Sequence, residues 1–86
     1  MKCSVEISMY PLEIKYKDQI ISFIKKLRNY ESIEVISNGM STQIFGHYDN
    51  VISIINKEIK FTFNSKNKIV FNLKIVNSDL RKIEEF

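Results

Sequence analysis

An α+β sandwich is the fold this sequence predicts: one four-stranded antiparallel sheet in the order 4-1-3-2, with two helices on one face. Three observations predict it. Hydrophobic spacing alternates between period two and period 3.6 along the chain, in the order β-α-β-β-α-β. The strongest turn signal, Asn38-Gly39, lies between the second and third strand segments and makes them a hairpin. The other two connections each run through a helix, and the right-handed crossover rule puts both helices on the same face. Together these features make the split βαβ pattern of ferredoxin-like domains.

The first strand is residues 2–10. Cys3, Val5, Ile7 and Met9 take one side, and Lys2, Ser4, Glu6, Ser8 and Tyr10 take the other, as a strand with one buried face requires. Pro11 ends it, because proline has no N–H to give to a ladder. Over residues 17–29 the period lengthens. Ile20, Phe23, Ile24 and Leu27 recur at helical spacing, Tyr16 extends the stripe backwards, and Lys17, Asp18, Lys25, Lys26 and Arg28 take the polar side.

Residues 32–37 form the second strand. A two-residue type I′ loop at Asn38-Gly39 needs positive φ at both central positions. It would set Ser37 opposite Met40, Val35 opposite Thr42 and Ile33 opposite Ile44. Ile33, Val35, Met40, Thr42 and Ile44 then share the apolar side, and Glu34, Ile36, Ser41 and Gln43 the other. The second helix begins at Asp49 or a neighbour, with Asp49 as N-cap or first-turn acid. Val51, Ile52, Ile55 and Ile59 make its stripe, which Ile54 widens.

Lys60-Phe61-Thr62-Phe63 reads either as a short strand or as the last helical turn and exit, burying one Phe; the second is preferred. Asn64 to Asn67 is a loop. Residues 68–76 give the last strand, with Ile69, Phe71, Leu73 and Ile75 inward and Val70, Asn72, Lys74 and Val76 outward. Residues 77–86 form a tail that Leu80 and Ile83 dock as a single helical turn. The expected core under the helices is Cys3, Val5, Ile7, Met40, Ile44, Phe71 and Leu73. The opposite face, with Glu6, Ser8, Glu34, Ile36, Ser41, Gln43, Asn72 and Lys74, meets water in a monomer and is the surface to cover in an oligomer.

Size and composition narrow the function. The 86 residues make one domain, and a core this small is often supplemented by oligomerisation. The net charge of +3 rests on eleven lysines and two arginines. They are scattered rather than clustered, so they read as solvated surface and not as a nucleic-acid footprint. The single cysteine, Cys3, allows no intrachain disulfide and no metal cluster. Its inward position predicts an inert buried thiol. No run approaches the roughly 20 apolar residues of a membrane span, and the N-terminus lacks a signal-peptide core. A cytoplasmic location is expected.

The sequence carries no nucleophile elbow, P-loop or dinucleotide fingerprint, since its two glycines are too few and too far apart. An enzyme would have to use Glu6 or His47 as its base, and His47 reads as a solvated residue at a strand end. No catalytic residue and no cofactor is assigned, and the expectation is a non-enzyme. Polar groups remain on two central strands: Glu6 and Ser8 on one, Ser41, Thr42 and Gln43 on the other. The plain reading is a wet sheet face and, for Thr42, a core hydroxyl with a partner. The functional reading is a small pocket with directed polar groups. Such a pocket would hold a flat heteroaromatic ligand, with Tyr10 covering a ring or a cation.

Two stretches, Ser4-Val5-Glu6-Ile7-Ser8-Met9-Tyr10-Pro11-Leu12 and Gly39-Met40-Ser41-Thr42-Gln43-Ile44-Phe45-Gly46-His47-Tyr48-Asp49, resemble the thiamine/hydroxymethylpyrimidine-binding family of YkoF-like proteins and their single-domain relatives. Lys74-Ile75-Val76 followed by Asp79-Leu80-Arg81 is similar to that family's last strand and polar tail. The resemblance implies a ferredoxin-like fold and binding of thiamine or its pyrimidine moiety without turnover, linked to uptake or salvage of the vitamin. It also implies a homo-oligomer, dimer or tetramer, for a chain with one repeat. Carried over residue by residue, it marks Glu6, Ser8, Ser41 and Thr42, to which the aromatic argument adds Tyr10. The alternative is a structural or regulatory homo-oligomeric module with no small-molecule ligand. One difficulty is visible at once: Ser41 and Thr42 alternate along a strand and point to opposite faces.

Overall fold

The computed structural model describes residues 1–81. Its elements are β1 (Lys2–Pro11), α1 (Tyr16–Arg28), β2 (Ile33–Ser37), β3 (Thr42–His47), α2 (Tyr48–Thr62) and β4 (Ile69–Val76). The strands form one antiparallel sheet in the order β2-β3-β1-β4, which is the 4-1-3-2 order expected. Both helices pack on the same face.

The core follows from the alternation of β1. Cys3, Val5, Ile7 and Met9 are buried between sheet and helices, with Ile44 of β3, Phe23 and Leu27 of α1, and Val51, Ile54 and Ile55 of α2. Leu27 and Ile44 have no exposed surface, and burying each such side chain is worth about 1.5–3 kcal/mol. Gly46 lets β3 and α2 come together. A Cβ there would lie 3.1 Å from the Ser32 carbonyl and 3.2 Å from Val51 Cγ2. α2 starts one residue before Asp49, which serves as a first-turn acid. Its first N–H, at Tyr48, donates to the Met1 carbonyl at 2.9 Å. One polar residue enters the layer between the helices: Glu58 of α2 is buried and accepts from the Tyr30 hydroxyl at 2.6 Å.

Several expectations are corrected. The β2–β3 hairpin does not turn on Asn38-Gly39; its last backbone bond runs from the Asn38 N–H to the Ser41 carbonyl at 3.1 Å. Ser37 pairs with Thr42 and Val35 with Ile44, so residues 38–41 all lie in the turn. Among the described residues none has positive φ, which excludes type I′. The Asn38 side chain organises the turn instead: Oδ1 accepts from the Met40 N–H at 2.8 Å and the Ser41 N–H at 3.2 Å, an Asx turn. The register moves by two residues, so each strand keeps its faces. Met40, expected in the core, is 90% exposed at the turn tip.

Residues 60–62 are helical, and neither Phe61 nor Phe63 is buried. Phe61 lies under the Lys26 ammonium, and Phe63 meets Phe71 edge-on at 5.5 Å. Pro11 stays in the ladder opposite Ile69, and the next N–H, at Leu12, donates to the Lys68 carbonyl. Leu73 and Ile75 point to the helix side but are 38% and 52% exposed, because the helices lie over β1, β2 and β3 rather than along β4.

The tail also departs from expectation. Residues 77–81 are not helical. They cross the open face of the sheet as a strap, while Ile83 lies outside the described residues. Ser4 Oγ donates to the Ser78 carbonyl at 2.7 Å and accepts from the Leu80 N–H at 2.9 Å. Arg81 reaches Glu34 of β2 at 2.8 Å, pairs with Asp79 and lies over the Phe45 ring. That face is therefore not simply wet: Ser4 and Phe45 are buried on it.

Candidate ligand site at the hairpin end of the sheet

The pairing of β1 places the site. On one side, β1 pairs with β4 from Ser4 through Pro11. On the other it pairs with β3 only from Lys2 through Ile7, where Ile7 meets Thr42. Beyond that point residues 38–41 curl into the hairpin turn, and Ser8, Met9 and Tyr10 have no β3 neighbour. The result is a gap in the sheet between the end of β1 and the hairpin. Side chains of α1 lie beneath it, because the apolar stripe of that helix continues past the last β1–β3 pair.

This gap is a cleft of 210 Å³. Its walls are Ser8 to Tyr10 on one side and Ser37 to Thr42 on the other, over an apolar floor of Ile20, Phe23 and Ile24. Strand backbone without a neighbour keeps free N–H and C=O groups along its edge. The cleft thus combines backbone donors and acceptors, hydroxyls and an apolar floor.

Four of the five predicted site residues, Ser8, Tyr10, Ser41 and Thr42, line this cleft. Ser41 and Thr42 do point to opposite faces, as the alternation requires. They reach one cavity because it lies at a break in the sheet and not on either face. Thr42 is buried, and its hydroxyl is 2.8 Å from that of Ser37. Tyr10 stands half-exposed at the rim.

Glu6 is not part of the cleft. It lies on the open face, where it accepts from Ser41 Oγ at 3.1 Å and meets the Lys74 ammonium at 3.6 Å. Two residues earlier than Ser8, it is still flanked by β3 through Gln43. Glu6 belongs instead to a second cleft of 330 Å³ between sheet and strap, with Gln43, Phe45, Lys74 and Leu80. Sequence reasoning missed Ser37 and the floor residues Ile20, Phe23 and Ile24. The floor was legible as a helical stripe, but nothing in the sequence says that part of the stripe outruns the sheet.

The remaining candidates lie apart from this cleft. His47 is exposed at the end of β3. Cys3 is fully buried, and burial pushes its thiol up from the ordinary value, so it is held as an unreactive thiol. Among the described residues no group of three or more His, Cys, Asp or Glu is placed to hold a metal ion. Among the same residues, no helix is long and apolar enough to cross a membrane.

No family model and no curated protein matches this chain. Solved structures do match its fold. A Streptococcus pneumoniae protein superposes with a TM-score of 0.83 at 21% identity, covering 96% of this chain and 93% of that one. A hypothetical protein from Methanocaldococcus jannascii gives 0.77 at 22% identity, covering 94% and 84%. A Thermotoga maritima protein provisionally assigned to thiamine biosynthesis or salvage gives 0.78 at 16% identity, covering 91% and 85%. At these identities the likeness establishes the fold alone.

Proposed function

We propose that this protein binds thiamine, or its hydroxymethylpyrimidine moiety, in the gap between the end of β1 and the β2–β3 hairpin, and does not turn it over. The observation that carries the reading is the gap itself, where free strand backbone, hydroxyls of Ser37 and Thr42 and an apolar floor converge. An aminopyrimidine presents ring nitrogens that accept and an exocyclic amine that donates, which suits hydroxyls and strand backbone together. At 210 Å³ the cleft is below the roughly 300–1,000 Å³ of drug-sized sites. It therefore suits one six-membered ring, with the remainder of the ligand outside under Tyr10. The provisional assignment of the T. maritima protein to thiamine biosynthesis or salvage supports the same reading. Among the described residues, the lining of the cleft is backbone, hydroxyl, amide and apolar groups, a set suited to holding a ligand. The setting we propose is cytoplasmic uptake or salvage of the vitamin.

Calorimetry and thermal shift with thiamine and with hydroxymethylpyrimidine test this. A ligand at about 100 times its dissociation constant stabilises a protein by about 2.7 kcal/mol, a shift readily seen in a chain of this length. No heat and no shift with either compound at millimolar concentration would overturn the proposal.

We further propose that the protein is a homo-oligomer. This second reading is favoured by the apolar side chains left exposed on β4, Val70, Leu73, Ile75 and Val76.

A further inference from the structure

We infer that the ligand of the cleft carries a phosphate, and that Lys25 and Arg28 of α1 hold it in a second hollow beside the hairpin. The form bound best is then the phosphate ester of hydroxymethylpyrimidine. The inference rests on the binding reading above and adds to it the charged group that the ligand brings.

The second hollow adjoins the first. It measures 270 Å³ and is bounded by Ile21, Ile24, Lys25 and Arg28 of α1 and by Ser37 and Asn38 at the end of β2. Ile24, Ser37 and Asn38 border both spaces. The Ser37 hydroxyl, 2.8 Å from that of Thr42, stands at this shared wall. The four helix residues recur at i, i+3, i+4 and i+7, so they lie on one face of α1.

The polar groups of this hollow suit an anion. Lys25 and Arg28 are exposed, and neither forms an ion pair among the described residues. The other arginine, Arg81, is paired twice. Asn38 Oδ1 already accepts from two backbone N–H groups, which fixes the amide and leaves its Nδ2 as a donor. Ser37 adds a hydroxyl. Among the described residues no carboxylate lines either hollow. Basic side chains in a last helical turn complement the helix dipole without any ligand, and Lys26 of the same turn lies over the Phe61 ring. Lys25 and Arg28 instead share a concave wall with two further donors. A phosphate, with about −1.5 to −2 charges and three acceptor oxygens, matches that set.

The site then sorts ligand forms by charge. Tyr10 offers an aromatic face, which attracts a cation such as the thiazolium of thiamine. On the hairpin side Lys25 and Arg28 repel that cation and attract an anion. In hydroxymethylpyrimidine phosphate a methylene and an oxygen separate the ring from phosphorus, so a ring seated in the gap places its phosphate in the adjoining hollow.

The test is calorimetry on the full chain with hydroxymethylpyrimidine, its phosphate ester, thiamine and thiamine phosphate. The ester is expected to bind about tenfold more tightly than the unphosphorylated pyrimidine, equivalent to about 1.4 kcal/mol. That advantage should shrink to about twofold between about 0.02 and 0.5 M salt, because exposed charges are screened. Lys25→Gln with Arg28→Gln should abolish it. Lys57→Gln with Lys66→Gln removes the same net charge from exposed positions outside both hollows and should preserve it. Thiamine phosphate, whose phosphate lies beyond the thiazolium, should gain less than about threefold over thiamine. If the Lys25 and Arg28 double variant does not fold, the salt dependence of the wild type decides alone. Pyrimidine binding with no gain for the ester, or a gain that survives in the Lys25 and Arg28 variant, would overturn the phosphate subsite and leave the binding reading standing. An equal gain for thiamine phosphate would overturn the choice of the pyrimidine ester. No binding of thiamine or of either pyrimidine form would overturn both readings.

Discussion

Ser4 and Leu80, 76 positions apart, share a hydrogen bond of 2.9 Å in which the Leu80 N–H donates to Ser4 Oγ. The same hydroxyl donates to the Ser78 carbonyl, so one buried side chain of a central strand fastens the C-terminal strap. Ser4→Ala removes both bonds and should cost about 1–2 kcal/mol. Amide hydrogen exchange reads the effect locally. The Leu80 amide should lose protection while the Ile44 amide in the centre of the sheet keeps its rank. Unchanged exchange at Leu80 would refute the fastening role.

The two glycines should respond in opposite ways to alanine. Gly39 has ordinary φ and open space around its Cα. Gly39→Ala should leave stability unchanged or raise it by about 0.4–1 kcal/mol through the unfolded chain. At Gly46 a methyl group meets the Ser32 carbonyl at 3.1 Å, and backbone yields little. Gly46→Ala should cost about 1–3 kcal/mol. Denaturant midpoints measure both, and a loss at Gly39 would show that a positive-φ turn forms after all.

Tyr30 and Glu58 give the protein an alkaline limb. The hydrogen bond to Glu58 is the main reason that the Tyr30 hydroxyl is held above the ordinary tyrosine value of 10.0; burial and the Glu58 charge add to it. A folded-state value above the unfolded one means stability fully present below about pH 10 and lost as pH rises through the folded value. Tyr30→Phe should flatten that loss. Thermal midpoints from pH 8 to about pH 11 that fall equally in both proteins would refute the link.

Asp79 works in the opposite sense. Its hydrogen bonds with Arg81 hold the carboxyl well below the usual carboxylate range. Its contribution is present above the unfolded value and is lost as pH falls through the folded one. Asp79→Asn should therefore loosen the Arg81 end of the strap at neutral pH, quicken Leu80 exchange there and remove its acid dependence, while the two Ser4 bonds keep the strap on the sheet. Exchange at Leu80 in Asp79→Asn that still quickens below about pH 4 would contradict this.

Thr42 and Glu6 separate the proposed cleft from the open face. Thr42→Val keeps the side-chain shape and removes the hydroxyl that meets Ser37. Losing one hydrogen bond of about 1 kcal/mol should weaken thiamine or pyrimidine binding about five- to tenfold. Glu6→Gln lies outside the cleft and should leave affinity within about twofold. Calorimetry on both variants checks this, and the reverse ranking would move the site to the cleft beneath the strap.

What the sequence by itself determined is whatever repeats along the chain. The two-residue alternation from Cys3 to Met9 and the helical stripe of Phe23 and Leu27 set the element order, the faces and most of the core. Face assignment survived a wrong turn type, because the register moved by an even number of residues and a strand changes face only on an odd one. Tertiary structure decided where elements end relative to one another. β3 stops opposite Ile7 while β1 runs on to Pro11. That mismatch opens the cleft, excludes Glu6 and lets Ser41 and Thr42 line one cavity from opposite faces. It also decided cover: Met40 and Leu73 are apolar like Ile44, but neither α1 nor α2 lies over the turn tip or along the β4 edge. Periodicity records which side a residue faces. Whether anything stands on that side depends on the placement of distant segments, such as the strap that Ser4 holds across the sheet.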